Sequence, residues 1–173
     1  MGKKSTKENK NVYFQSRENA GLTRAQASEK MEYVSESRIE KIESGTSLPQ
    51  PDDVTAMAKA YKKPELCNYY CAHECSIGQE MVPEIQLSSL SEIVLGLLSS
   101  LNTLDTQKNR LIDITADGRI DDNELEDFAR IKNRLDQLSI TIEGLKLWCS
   151  KTIADGNINS EKFEELCQKL KDK

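Results

Sequence analysis

The amino-acid sequence predicts an all-α protein with two helical parts. Apolar residues recur at spacings of three and four along most of the chain, which places them on one face of a helix. Strand signals are nearly absent, because β-branched runs are few and no Asn-Gly turn joins alternating apolar stretches. Charged residues make up 31% of the 173 residues and aromatic residues 5%, a composition that suits well-solvated helices with modest cores.

Changes in composition along the chain predict its organisation. We expect a basic flexible arm at residues 1–10, a five-helix domain at 11–75, a linker at 76–84 and a helical domain at 85–173. No apolar run approaches the roughly 20 residues that a membrane-spanning helix needs. The basic N-terminus lacks the apolar core of a secretory signal, so we expect a cytoplasmic protein without membrane contacts.

Three short helices with tight connections are predicted for residues 17–45. Gly21 is expected to end the first helix in the left-handed conformation. Thr23 and Ser35 stand where side chains cap the second and third helices. Ile39 and Ile42 are three residues apart and therefore share the buried face of the third helix. A capped short helix that two others present outward is how a helix-turn-helix places side chains in the DNA major groove.

This stretch resembles the XRE family, the Cro/repressor-type helix-turn-helix. The resemblance covers about residues 11–70, including a loop at 46–51 and a fourth helix that follows it. It implies a five-helix repressor-like domain, a homodimer, and a palindromic site on double-stranded DNA. The residues that carry it are Arg17, Gly21-Leu22-Thr23, Val34-Ser35, Arg38-Ile39 and Ile42-Glu43-Ser44-Gly45.

The resemblance also implies which residues contact DNA. Ser37, Arg38 and Lys41 are expected to point away from the buried face of the third helix, towards the groove, while Arg24 and Thr46 would contact phosphates. The full implied set is Arg24, Gln26, Ser35, Glu36, Ser37, Arg38, Lys41 and Thr46.

The chain departs from the family pattern at several positions. Arg24 replaces a common Gln, and Ala27 replaces a bulky Leu. The turn at 32–33 is one residue longer than usual and lacks the usual Gly. Glu36 would be repelled by phosphates, although it could accept a hydrogen bond from a cytosine amino group.

Charge is distributed unevenly between the two parts. The net charge is −5, but residues 1–75 carry 12 basic and 11 acidic residues, whereas residues 76–173 carry 12 and 18. Only the first part suits nucleic acid, and its nonspecific binding should be weak and salt-sensitive. The alternative is a degenerate helix-turn-helix that acts as a protein-interaction module without binding DNA, with a protein partner for the acidic C-terminal helices.

A cysteine-rich segment follows the predicted helix-turn-helix. Cys67, Cys71 and Cys75 lie one helical turn apart, and His73 is the only histidine. Three thiolates and an imidazole could bind zinc, and three thiolates could hold an iron–sulfur cluster. A disulfide that senses redox state is another interpretation. The remaining alternative is that these cysteines are small core residues.

Two long helices and a short one are predicted in the second part. The first begins near Ser88 or Ser89 with an apolar seam, and the second runs from about Asp122 to Lys151 with a matching seam. A short connection should make them an antiparallel hairpin, with leftover apolar surface that drives dimerisation; a monomer in which the seams cover each other is the alternative. The seams are Leu90, Val94, Leu97, Leu101, Leu104 and Leu111, then Phe128, Ile131, Leu135, Leu138, Ile142, Leu145 and Cys149, with Phe163, Leu166, Cys167 and Leu170 on the short helix.

The connection between the long helices resembles an EF-hand calcium loop. Oxygen ligands at these spacings suit calcium, and Gly118 stands at the sharp turn. The alternative is a structural turn, which a similar Asp155-Gly156 sequence repeats 38 residues later without acidic end positions. The implied ligands are Asp113, Thr115, Asp117, Asp121 and Glu124.

Enzymatic chemistry has little support in the sequence. The chain has one histidine, no Gly-rich phosphate loop and no nucleophile in a recognisable setting. We therefore expect a regulator that is not an enzyme and that needs no cofactor, apart from the zinc, iron–sulfur or calcium options above.

Overall fold

The computed structural model describes residues 10–171, and this part of the chain contains helices and no strand, which confirms the predicted all-α class. No helix in this range is both long enough and apolar enough to span a bilayer. The predicted basic arm lies outside the described residues except for Lys10. The helices are α1 (Val12–Asn19), α2 (Arg24–Met31), α3 (Glu36–Glu43), α4 (Pro51–Ala60), α5 (Glu65–His73), α6 (Ser76–Met81), α7 (Leu90–Thr115), α8 (Leu125–Ala154) and α9 (Ser160–Lys171).

The chain divides into two compact units. The first contains the described residues up to Glu84 and those from Cys149 onward, and the second is Ile85–Trp148. The last turns of α8 therefore belong to the first unit, where Lys151 Nζ donates to the carbonyl oxygen of Lys62 at 3.1 Å. The domain at 85–173 that we expected from the sequence is thus shared between the two units.

The ends of α1, α2 and α3 follow the capping expected from the sequence. Gly21 has φ of 69°, and Leu22 N donates to Arg17 O at 3.2 Å across the end of α1. Thr23 forms a capping box at the start of α2, and the Ser35 side chain accepts from Arg38 N. The turn that lacks glycine instead places Glu32 at φ of 59°.

One apolar core holds α1 to α5 together. Its most buried members include Ile39 and Ile42 of α3, at 0% and 1% exposure, as predicted. Ala27 is fully buried, so α2 contributes only a small side chain to the core at this position. The Tyr13 hydroxyl donates to Glu74 Oε2 at 2.9 Å, joining α1 to the end of α5.

The segment that we expected to be a linker contains α6. The glycine in this helix permits close packing, since a Cβ atom on Gly78 would lie 2.2 Å from the carbonyl oxygen of Cys71. Cys75 caps α6 by accepting a hydrogen bond from Gly78 N at 3.4 Å. The apolar periodicity of the sequence did not predict α6, because this helix has only six residues and its position depends on the contact between Gly78 and Cys71.

The second unit is built mainly from α7 and α8, which run antiparallel. Near one end Gly96 lies against Thr141, and near the other Arg110 Nε donates to Asp127 Oδ2 at 2.7 Å. Ser89 and Glu92 form the predicted capping box at the start of α7. The second long helix begins at Leu125 rather than near Asp122, because residues 121–124 form a turn.

The predicted seam of α8 is divided between two faces. Ile131 is 2% exposed in the hairpin, whereas Phe128, Leu135 and Ile142 remain 37%, 44% and 39% exposed. α7 shows the same division, because Ile93 and Ile114 are buried while Val94 and Leu101 are exposed. The apolar sector of each helix is too wide for a single neighbouring helix to cover.

Candidate nucleic-acid interface

The third helix has an inner apolar face and an outer polar face. Ile39 and Ile42 are buried in the core, so the opposite side of α3 turns away from the domain. The outer side chains of Glu36, Ser37 and Lys41 are exposed, as is Glu40. Short polar and charged side chains on an outward helix match the arrangement that enters a major groove.

A buried ion-pair network supports α3 from behind. Glu43, on the last turn of α3, accepts from Arg17 Nε at 2.5 Å and from Arg17 Nη2 at 3.0 Å. Burial alone would lower the pKa of Arg17, but the hydrogen bond to Glu43 and its negative charge raise it. The paired charges compensate each other's desolvation, and the pair fixes α1 against α3.

Arg24 is ion-paired within the domain. Its Nε donates to Glu43 Oε2 at 2.8 Å, and its Nη1 donates to Glu40 Oε1 at 3.0 Å. The Glu40 partner is exposed on the outer face of α3. Arg24 thus lies beside the predicted DNA surface, and one of its two carboxylate partners is accessible to solvent.

Arg38 does not point freely away from the buried face, contrary to our expectation. Its Nη2 lies 2.6 Å from Asp53 Oδ2, its Nη1 donates to Ser47 Oγ at 2.5 Å, and it also donates to Leu48 O at 3.0 Å. The planar guanidinium can bind several acceptors at once. It therefore ties the loop before α4 to the first turn of α3.

Three other predicted contact residues have local structural roles. Ser35 Oγ accepts from Arg38 N at 3.2 Å, and Gln26 Oε1 accepts from Thr23 N at 2.9 Å. Thr46 Oγ1 donates to Lys41 O at 3.1 Å at the end of α3. Such caps use some of the hydrogen-bonding capacity of each side chain and keep it at the surface.

Lys41 differs from the two arginines. Its side chain is exposed, and within residues 10–171 it forms no ion pair. The outer face of α3 thus combines one unpaired cation with the carboxylates of Glu36 and Glu40. A phosphate backbone would be attracted to Lys41 and repelled by both carboxylates.

The cysteine-rich segment does not assemble as a ligand group. Burial raises the pKa of the Cys67 thiol, which disfavours the thiolate that binds metals. The His73 ring lies against Tyr69, with centroids 4.6 Å apart, and its Nε2 is 3.2 Å from Glu84. Over the described range, no group of three or more His, Cys, Asp or Glu side chains could hold a metal ion.

The loop that resembles an EF-hand is arranged as a turn. Asp113 lies within α7, and Thr115 Oγ1 bonds back to Leu111 O at 2.9 Å. Asp117 Oδ1 accepts from Arg119 N at 3.0 Å, and Glu124 Oε2 accepts from Asp121 N at 3.2 Å. Among residues 10–171, this loop likewise does not bring together three side chains that could hold a cation.

Both repeated Asp-Gly turns use the same backbone conformation. Gly118 and Gly156 have φ of 73° and 79°, which a residue with a Cβ adopts only at a cost. This shared conformation accounts for the repeated Asp-Gly pair in the sequence.

Three residues that position the site were not predicted from the sequence. Asn11 caps α1 and donates to Ile42 O at 2.7 Å, which joins α1 to α3. Asp53 binds Arg38, and Glu74 binds Tyr13. Asp53 is in the first turn of a helix that begins with proline, so its position suggests a cap but not an arginine partner.

Comparison with known protein families agrees with this geometry. Residues 15–70 match a family model described as a helix-turn-helix domain. No curated protein and no solved structure matches the chain. The matched range begins in α1 and ends in α5, and it includes the Arg17–Glu43 pair. Residues 15–70 of this chain are therefore a helix-turn-helix domain.

Proposed function

We propose that this protein is a sequence-specific DNA-binding transcriptional regulator of the XRE type. The observation that carries the proposal is the two-sided α3, with Ile39 and Ile42 buried and Ser37 and Lys41 exposed on the opposite face. The match of residues 15–70 to a helix-turn-helix family supports it. In this proposal α3 lies in the major groove.

Each exposed residue has a distinct part in the proposed contact. Lys41 binds a phosphate or a guanine edge, and Ser37 approaches the bases. Glu36 accepts from a cytosine amino group, since phosphates would repel it. Arg24 and Thr46 bind phosphates, for which Arg24 exchanges its exposed partner Glu40 for the DNA backbone.

Arg38, Ser35 and Gln26 act mainly by holding this surface in place. Each has an intramolecular hydrogen bond that fixes α2, α3 or the loop before α4. Arg38 retains exposed atoms, so it can still contribute a long-range positive charge.

The proposed regulator binds as a homodimer to a palindromic site. Two recognition helices related by a two-fold axis lie about one DNA turn apart in repressors of this kind. The C-terminal helices would supply the dimer contact or receive a signal. Exposed apolar side chains on α7, α8 and α9 support the first of these roles.

One observation favours a second function, a protein-interaction module without DNA binding. Both arginines of the candidate interface are ion-paired, and α3 presents Glu36 and Glu40 on its outer face. A surface with this charge balance suits a protein partner that carries basic residues.

Selection from randomised duplexes at moderate salt tests the proposal. We expect an enriched palindrome, affinity that falls as salt rises, and a loss of about tenfold or more in Lys41→Ala. Lys59→Ala is the matched control, since it removes an exposed lysine of α4 and should leave affinity unchanged. No enrichment, or equal effects of the two variants, would reject the assignment of α3 and favour the protein-interaction module.

A further inference from the structure

An exposed apolar stripe follows the length of α8. It consists of Phe128, Leu135 and Ile142, and we call it the outer stripe. These side chains are 37%, 44% and 39% exposed, although they recur every seven residues as in the contact face of a helical bundle. Ile131, on the neighbouring face of α8, is buried in the hairpin, so α7 already occupies that face.

α7 carries a matching stripe that faces the same side of the hairpin. Val94, Leu98 and Leu101 are 37%, 51% and 44% exposed. At about 100° per residue, the α7 stripe lies roughly 80–140° from Ile93 and the α8 stripe roughly 20–60° from Ile131, both in the direction of chain progress. Because α7 and α8 are antiparallel, rotations in the chain direction bring both stripes to one face.

The second unit leaves many large apolar side chains exposed. Eleven large apolar side chains of the second unit are more than a third exposed: Leu90, Val94, Leu95, Leu98, Leu101, Ile112, Ile120, Leu125, Phe128, Leu135 and Ile142. Contiguous apolar patches above a few hundred Å² mark interaction sites. Two such hairpins packed face to face would form a four-helix bundle.

The spacing of the outer stripe makes it complementary to itself. Phe128 and Ile142 are each seven residues from Leu135. A two-fold rotation about an axis through Leu135 therefore places Phe128 of one copy opposite Ile142 of the other. A two-fold contact requires this property, because both copies use the same surface.

The charge distribution of the hairpin favours the antiparallel arrangement of two copies. Residues 105–127, at the closed end, carry eight acidic and three basic residues, whereas residues 128–148 carry two acidic and four basic residues. With Leu135 at the centre, antiparallel packing places residues 122–127 of one copy beside residues 143–148 of the other, where Glu143 and Lys146 cancel, so the two acidic ends lie far apart. Parallel packing would bring two acidic ends together, which costs energy.

We propose that the outer stripe is the contact between two copies of this chain, with α8 antiparallel to α8 and Leu135 at the two-fold axis. Leu135 then meets Leu135 of the second copy, and Phe128 meets Ile142. Beside the stripe, Lys132 and Asp136 pair with each other at 2.6 Å, which leaves neither of these two charges for a charged partner. This inference deepens the dimer of the proposed function and does not depend on DNA binding.

Cysteine cross-linking of the full chain without DNA tests the register. Under mild oxidation, Leu135→Cys should give a covalent dimer, with the 135–135 bond identified by mass spectrometry. Phe128→Cys and Ile142→Cys should cross-link when the two variants are mixed but only weakly alone. Asn133→Cys, an exposed position on another face of α8, and the unmodified chain with its native cysteines are the controls.

Light scattering provides a second, independent measurement. We expect a dimer at micromolar concentration, and a monomer with unchanged helix content for Leu135→Asp. Leu170→Asp, at an exposed leucine of α9, should remain dimeric. A monomeric unmodified chain, or cross-linking of Phe128→Cys alone as efficiently as the mixture, would overturn the proposal. Cross-linked dimers that fail to select a DNA site would leave this contact standing and reject only the DNA-binding function.

Discussion

Arg38 and Asp53 form an ion pair between the first turn of α3 and the first turn of α4, with 2.6 Å between Nη2 and Oδ2. The same carboxylate oxygen accepts from Gln50 N at 2.8 Å at the start of α4. Asp53 therefore joins the helix, the preceding loop and the guanidinium. Arg38 lies at the edge of the proposed DNA surface, but its main contacts are inside the domain.

Replacing Arg38 should affect stability as well as binding. We expect Arg38→Ala to lower the free energy of unfolding by about 1–3 kcal/mol, because Asp53, Ser47 and the loop carbonyl lose charged hydrogen bonds. Lys41→Ala should change it by less than about 0.5 kcal/mol, as is usual at exposed sites. Urea unfolding monitored by circular dichroism measures both. Equal stability of the two variants would contradict the structural role of Arg38.

The contacts of Arg38 could not be predicted from the sequence, whereas the helix caps could. Capping residues act on their own helix, so Thr23, Ser35 and Gly21 could be assigned from local sequence alone. Arg38 and Asp53 are 15 residues apart, and their contact depends on the path of the intervening loop. Helix periodicity alone placed Arg38 on the outer side of α3.

For the C-terminal helices too, some features could be predicted from the sequence and others could not. Heptad spacing predicted the antiparallel pair of long helices, since this signal is local and repeats. It could not assign each apolar residue to the hairpin or to solvent, because Ile131 and Leu135 both belong to the same wide apolar sector. α6 was missed for another reason, since its position depends on close contact between Gly78 and Cys71.

Glu43 should be among the residues most important for stability. It is 4% exposed and accepts hydrogen bonds from both Arg17 and Arg24. Glu43→Ala leaves Arg17, which is 7% exposed, without its carboxylate, so we expect a loss of about 3–5 kcal/mol. Glu40→Ala, the control, removes an exposed partner of Arg24 and should cost at most about 1 kcal/mol. If urea unfolding gave comparable losses of stability for Glu43→Ala and Glu40→Ala, the buried ion pair would contribute no more to stability than the exposed one.

Gly78→Ala tests the packing of α6 on α5. The added Cβ would lie 2.2 Å from the carbonyl oxygen of Cys71, and backbone atoms cannot move aside as a side chain can. We expect a cost of about 1–3 kcal/mol and faster amide hydrogen exchange at Val82, whose N–H donates to Gly78 O. Gly96→Ala is the control, because its nearest neighbour is a side-chain methyl of Thr141 at 3.4 Å. Unchanged exchange at Val82 in Gly78→Ala would refute this packing.

Tyr61 should make stability fall at high pH. Burial, followed by the negative charge of Glu43, raises its pKa above the usual value, an effect that Arg17 partly offsets. In the unfolded chain the phenol loses its proton near pH 10, whereas the folded chain retains it. Above about pH 10 the folded state therefore holds one proton more than the unfolded state. As a result, the free energy of unfolding decreases as the pH rises.

Tyr61→Phe separates this titration from packing. Within residues 10–171 the buried hydroxyl has no hydrogen-bond partner, so its removal should leave stability at pH 7 unchanged or raise it by about 1 kcal/mol. Between pH 9 and 11 the variant should lose less stability than the unmodified chain. Some dependence should remain, because burial and the bond to Glu74 also raise the pKa of Tyr13. Tyr33→Phe, at a tyrosine that is 67% exposed, is the control in urea unfolding. An unchanged slope in Tyr61→Phe would mean that its hydroxyl is not excluded from solvent in the folded protein.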